Sequence, residues 1–111
     1  MRLRNTLVAA TSAIALVLAV PVSANAADGV FRYTYRDGDS ERRGELVDPR
    51  GEECVDVQGA TAGSPAYAPA NRTSAAAVAF LDFGCVGDGY RVLDPGDSAG
   101  RPLGFRSVLF S

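Results

Sequence analysis

The amino-acid sequence predicts an all-β domain, a small sandwich or barrel of about six short antiparallel strands held by one disulfide. Three features carry that expectation. Aromatic and β-branched residues alternate with polar ones in the first ordered stretch, over residues 30–36. Twelve glycines and six prolines cut the chain into short runs. No run sustains an apolar helical face.

An N-terminal leader comes first. Arg2 and Arg4 precede an apolar run over residues 7–20, broken only by Thr11 and Ser12, and Pro21 and Ala24-Asn25-Ala26 follow. A basic start, a short apolar run and a small-x-small site make up a secretory signal. The run is shorter than the roughly 20 residues of a bilayer-spanning helix. Cleavage is expected between Ala26 and Ala27. Residues 1–26 are then the signal peptide, and residues 27–111 form a single β domain secreted from the cell. No Cys follows the apolar run at a distance that would take a lipid anchor, so the mature form has no expected membrane attachment.

In the mature region, Phe31, Tyr33 and Tyr35 share one face of a strand, and Arg32, Thr34 and Arg36 share the other. Asp37-Gly38-Asp39-Ser40 is a turn signal, and Arg42-Arg43 fall in the adjoining turn. Leu46-Val47 and residues 54–57 read as two short strands, separated by Pro49-Arg50-Gly51. Residues 59–71 carry Gly, Ala and Ser with Pro65 and Pro69, and read as a loop with Tyr67 pinned to the core. Asn71 and Thr73-Ser74 open the next strand, within residues 75–83. There Ala76-Ala77-Val78-Ala79 favours a helix, but Gly84, Gly87 and Gly89 cut the run short. Tyr90 to Leu93 form a strand before the Asp94-Pro95-Gly96-Asp97 turn, and residues 105–110 form the closing strand. Such spacing favours hairpins and Greek-key connections, because parallel pairing needs long crossovers.

A domain of 85 residues buries only about 60–65% of its unfolded surface and calls for a staple. Cys54 and Cys85 both lie in the mature region, and export would carry them into an oxidising compartment. One disulfide is expected. Closing a loop of about 31 residues contributes about 3.5–4 kcal/mol by chain entropy. The mature region sets nine arginines against 13 acids, a formal charge of −4, and the chain has no lysine, the composition of a high-GC bacterial genome. Without a basic cluster, nucleic acids and anionic membrane surfaces are not expected partners.

In the second half, Phe80 stands eight positions from Gly87 in Phe80-Leu81-Asp82-Phe83-Gly84-Cys85-Val86-Gly87, counted inclusively, and Ser107 lies about twenty residues on. This layout resembles the βγ-crystallin superfamily. The resemblance covers residues 75–110, with Cys85 where the family usually carries a second aromatic and only a degenerate echo, Phe31 to Gly38, in the first half. It implies a hairpin folded over the sheet, a positive φ at Gly87 and a serine hydroxyl tying the hairpin down. Many bacterial members bind calcium through paired Asn/Asp residues near that serine. Here Pro102-Leu103-Gly104-Phe105-Arg106-Ser107 lacks the pair, and Arg106 stands in a ligand's place, so no metal is expected there. Asp82, Asp88, Asp94 and Asp97 read as solvated turn acids.

The chain has no histidine, which removes histidine-based triads and metal sites, and without lysine there is no phosphate-loop motif. Adjacent Glu52 and Glu53 would point to opposite faces of a strand and make a poor carboxylate pair. Asn71-Arg72-Thr73 matches a glycosylation acceptor, which carries little meaning in a bacterial product. Arg32, Arg36, Arg42 and Arg43 read as guards against edge-to-edge aggregation, with a binding patch for an acidic partner as the alternative. No catalytic residue, cofactor or enzymatic activity is expected. A monomeric binding or structural module for an extracellular protein or envelope component remains. The alternative is an inhibitor of a secreted hydrolase, presenting Pro65, Tyr67 and Pro69 on a rigid loop.

Overall fold

A computed structural model describes residues 26–111 of the chain. The expected signal segment up to Asn25 lies outside the described residues. Eight strands form two four-stranded antiparallel sheets: β1 Gly29–Asp37, β2 Ser40–Val47, β3 Cys54–Asp56, β4 Ala66–Thr73, β5 Ala77–Phe80, β6 Tyr90–Leu93, β7 Gly104–Phe105 and β8 Ser107–Phe110. The strand order is β2-β1-β4-β7 in the first sheet and β3-β8-β5-β6 in the second. Read from its other edge, the second sheet runs β6-β5-β8-β3. Each half of the chain therefore builds three neighbouring strands of its own sheet and lends its third strand to the edge of the other.

The all-β expectation holds, but the strand count rises from six to eight. β2 begins at Ser40, so Arg42 and Arg43 lie in a strand opposite Tyr35 and Thr34. Its first residues are polar on both faces because an edge strand has only one neighbour to bury against. The expected closing strand is two strands. Phe105 pairs with Ala66 in the first sheet and Ser107 with Phe80 in the second, so the chain crosses between layers at Arg106.

The expected loop over residues 59–71 ends at Pro65, and β4 follows it as an interior strand. Pro69 fits there because the ladder is interrupted at that point. Arg32 pairs with Ala70 and Thr34 with Tyr67, which leaves Tyr33 facing the extra residue pair Ala68 and Pro69. A bulge tolerates the missing proline N–H. Ala68 takes φ +53° to make it. Asn71 and Thr73 belong to the end of β4 and do not open β5.

Phe31, Phe105 and Phe110 are fully buried between the sheets. Phe31 meets the rings of Phe105 and Phe110 edge-on, with centroids 6.0 and 5.5 Å away. Tyr33 completes this core and donates its hydroxyl to the Gln58 carbonyl at 2.9 Å. Burial, with Tyr35 beside it, raises the Tyr33 pKa above its ordinary 10.0, against the opposing pull of the Gln58 bond. Gly44 lies directly across from Tyr33, and a Cβ at Gly44 would overlap that ring.

Asn71 is buried without exposure. Its amide donates to the carbonyls of Ala75 and Leu93 at 2.8 and 2.9 Å, and its side-chain oxygen accepts from the Thr73 N–H and hydroxyl. The glycosylation-like triplet is thus an internal polar tie in the folded domain.

Candidate functional site

The outer faces of the two sheets differ in chemistry. On the first, Arg32 pairs with Glu45 at 3.0 Å, while the Arg42–Asp37 pair at 3.2 Å lies on the Tyr35 side of the hairpin, beyond the end of the core. Tyr67 donates its hydroxyl to Glu41 at 2.7 Å, Arg101 also pairs with Glu41, and the Arg101 guanidinium lies 5.1 Å from the Tyr67 ring centre. The Tyr67 bond, then Arg101, lowers the Glu41 pKa below its ordinary 4.5, and the same bond raises that of Tyr67. Tyr67, expected on a loop and pinned to the core, instead lies on β4, with its hydroxyl committed to a surface cluster. Pro65, Tyr67 and Pro69 therefore do not form a free projecting loop. Residues 61–64 turn back on themselves through paired Thr61 and Ser64 backbone bonds, and Arg106 holds the carbonyls of Thr61 and Ala62 at 2.8 Å each.

On the second sheet, core-facing Ala77, Ala79, Leu93, Val108 and Phe110 alternate with Val78, Phe80, Tyr90, Val92 and Leu109. The latter set is apolar and only partly covered. Phe80 and Tyr90 stack at 5.7 Å. Six large hydrophobic residues among the described ones stand exposed, and five of them, Leu81, Phe83, Val86, Tyr90 and Val92, fall between residues 81 and 92 at 37–58% exposure. Singly exposed apolar residues are ordinary, whereas a concentration of them marks a contact surface. Beside them lies an open cavity of about 260 Å³ lined by Ala79, Leu81, Gly89, Tyr90, Pro102, Leu103 and Gly104.

The segment that carries these residues is firmly held. Ser107, fully buried, donates its hydroxyl to the Asp82 carbonyl at 2.5 Å and accepts the Cys85 N–H at 2.9 Å. Gly84 donates its N–H to Asp56 at 2.8 Å, and Arg106 donates to the Leu81 carbonyl at 3.0 Å. Cys85 is bonded to Cys54, joining this segment to β3. Between these ties Phe83–Cys85 makes one 3-10 turn, in which Gly84 and Cys85 take φ +78° and +55°, and Gly87 follows at +94°. Of the three residues singled out by the sequence pattern, Phe80 and Gly87 belong to the β5–β6 hairpin, and Ser107 lies opposite Phe80 on the neighbouring β8, from which it holds the connection.

At the expected cleavage site, Ala26 forms a bridge with Arg50, and Ala27 is buried and donates its N–H to the Pro49 carbonyl at 2.9 Å. Among the described residues no three Cys, Asp or Glu side chains converge as metal ligands, and no helix is long and apolar enough to cross a membrane. Asp97 accepts the Asp94 N–H within its own turn. The Arg106 guanidinium, which stands where the calcium-binding pattern has a ligand, binds the carbonyls of Thr61, Ala62 and Leu81. Sequence reasoning missed this surface. Its signal was Tyr90-Arg91-Val92, an edge-length strand with apolar residues on both sides of a single charge. No family model, curated protein or solved structure matches the chain.

Proposed function

We propose that this chain is an exported, non-enzymatic binding module that engages an extracellular protein or envelope component through the outer face of its second sheet. The observation that carries the reading is the clustering within residues 81–92 of five of the six exposed large hydrophobic side chains among the described residues, on a segment held by Ser107, Asp56 and the disulfide. A surface fixed before contact loses little entropy on binding. The leader pattern and the Cys54–Cys85 bond support export. The Ser107 tie, the positive φ of Gly87 and the matching strand orders of the two sheets support a pair of Greek keys of βγ-crystallin type.

The test is capture from culture supernatant and envelope fractions by the oxidised protein, with bound proteins identified by mass spectrometry. A specific partner retained by the wild type and by Arg36→Ser, but lost with Val92→Asp, supports this contact face. Equal retention by Val92→Asp overturns it.

Inhibition of a secreted hydrolase remains the second reading, favoured by one observation: Phe83 and Val86 are exposed on a tightly tied loop. The inhibitory segment then moves from Tyr67 to residues 83–86. Stoichiometric inhibition of a secreted protease, lost on Phe83→Ala, would support it over the first.

A further inference from the structure

The four edge strands of the two sheets are not equally protected. β2 carries Glu41, Arg42, Arg43 and Glu45, whereas β3 and β7 are only three and two residues long. Charge and shortness both discourage strand pairing. β6 has neither protection. It is four residues long, Arg91 is its single charge, and Tyr90 and Val92 are exposed.

Its backbone is also open. Leu81 donates to the Gly89 carbonyl at 2.8 Å, so Gly89 opens the bonded series of the β5–β6 ladder. Antiparallel pairs alternate between bonded and unbonded, which assigns Arg91 and Leu93 to β5. The N–H and C=O groups of Tyr90 and Val92 then face away from the sheet, without a partner among the described residues.

We propose that β6 is a strand-addition site for an extended peptide segment in which an apolar residue is flanked by basic ones. The backbone of that segment bonds to Tyr90 and Val92, and its apolar side chain enters the adjoining cavity lined by Leu81, Tyr90 and Leu103. At about 260 Å³ the cavity is below the roughly 300–1,000 Å³ of small-molecule sites and suits a side chain. Charge selects the flanks. Asp88 and Asp94 bracket β6, both are exposed, and neither forms an ion pair among the described residues.

The same charges disfavour a second copy paired in the register centred on Arg91. Two-fold antiparallel pairing must place like faces together, and centring it on Arg91 sets Arg91 against itself and Asp88 against Asp94. Like charges directly opposite are destabilising.

This inference rests on the contact face proposed above. Its test is titration of the 15N- and methyl-labelled oxidised protein with two nonapeptides, each with a Val-Leu-Val centre, one flanked by alternating lysine and threonine and the other by glutamate and threonine. The lysine peptide should shift the Tyr90 and Val92 amides and the Leu81 and Leu103 methyls, and bind at least tenfold tighter than the glutamate peptide. Val92→Pro, which removes an outward N–H and leaves the bonds to β5, should weaken it at least tenfold. Leu103→Arg, which fills the cavity, should do the same. No shifts at millimolar peptide, equal affinities, shifts on the first sheet instead, or dilution-dependent Tyr90 and Val92 shifts without peptide would each overturn the inference. If the peptides fail while Val92→Asp still loses the captured partner, the contact face stands and strand addition falls.

Discussion

The β1–β2 and β5–β6 hairpins hold equivalent places in the two sheets, yet they are built differently. The first is long, turns tightly at Gly38-Asp39, and covers its outer face with ion pairs such as Arg32–Glu45. The second is short. Its connection folds back over β8, is fixed by Ser107 and a disulfide, and leaves apolar side chains in solvent. One topological position thus serves as a polar flank in one half and a tethered apolar surface in the other. The lesson is that burial of a polar anchor permits exposure of apolar groups elsewhere on the same segment.

That contrast can be broken by removing the ties of the second hairpin. The largest expected effect is loss of the disulfide. Cys54→Ser with Cys85→Ser should reduce the unfolding free energy by about 3.5–4 kcal/mol, the chain-entropy value for the loop it closes. Chemical denaturation of the two forms measures this, and a change below about 1 kcal/mol would place the stability elsewhere. Next comes Ser107→Ala, which leaves the half-buried Cys85 N–H and the Asp82 carbonyl without their partner at a cost of about 1–2 kcal/mol. Hydrogen exchange should then accelerate at Gly84 to Gly87 and stay unchanged at Asp37 to Ser40. Acceleration in both hairpins would deny the independence of the two.

The remaining effects sharpen the comparison from the first sheet. Ala68 holds φ +53° in the bulge of β4, so Ala68→Gly should stabilise by up to about 1 kcal/mol, read as a raised denaturation midpoint. The smallest effect is the acid response of Glu41. Its folded pKa lies below the unfolded value, so its contribution is complete above the ordinary 4.5 and is lost as the pH falls through the lowered value. Wild type and Glu41→Gln should therefore differ in stability at neutral pH and converge in acid. Such an exposed cluster contributes little, and salt should reduce the difference further.

The strands that alternate in sequence were legible. Phe31, Tyr33 and Tyr35 announced β1, and Tyr90 to Leu93 gave β6 with its bounds. The pairing of the two cysteines followed from their number. β4 was hidden because Ala-Tyr-Ala-Pro-Ala has no period-two contrast and carries a proline, which an interior strand accepts only through the bulge opposite Tyr33. The break at Arg106 was hidden because crossing between layers changes no local propensity. Of the candidate site, Phe80, Gly87 and Ser107 were visible as a spaced pattern. The open edge of β6 was not, since whether a strand lies at an edge is a property of the assembled sheets.

The crossing at Arg106 has a consequence for how the protein folds. Phe105, Ser107, Val108 and Phe110 are all buried, and they follow every other strand in chain order. Until they are in place, β4 lacks its outer neighbour, β3 and β5 lack the strand between them, and Phe31 lacks two of its three ring partners. Closure of both layers thus waits on a single short stretch of chain, so the two sheets are completed together.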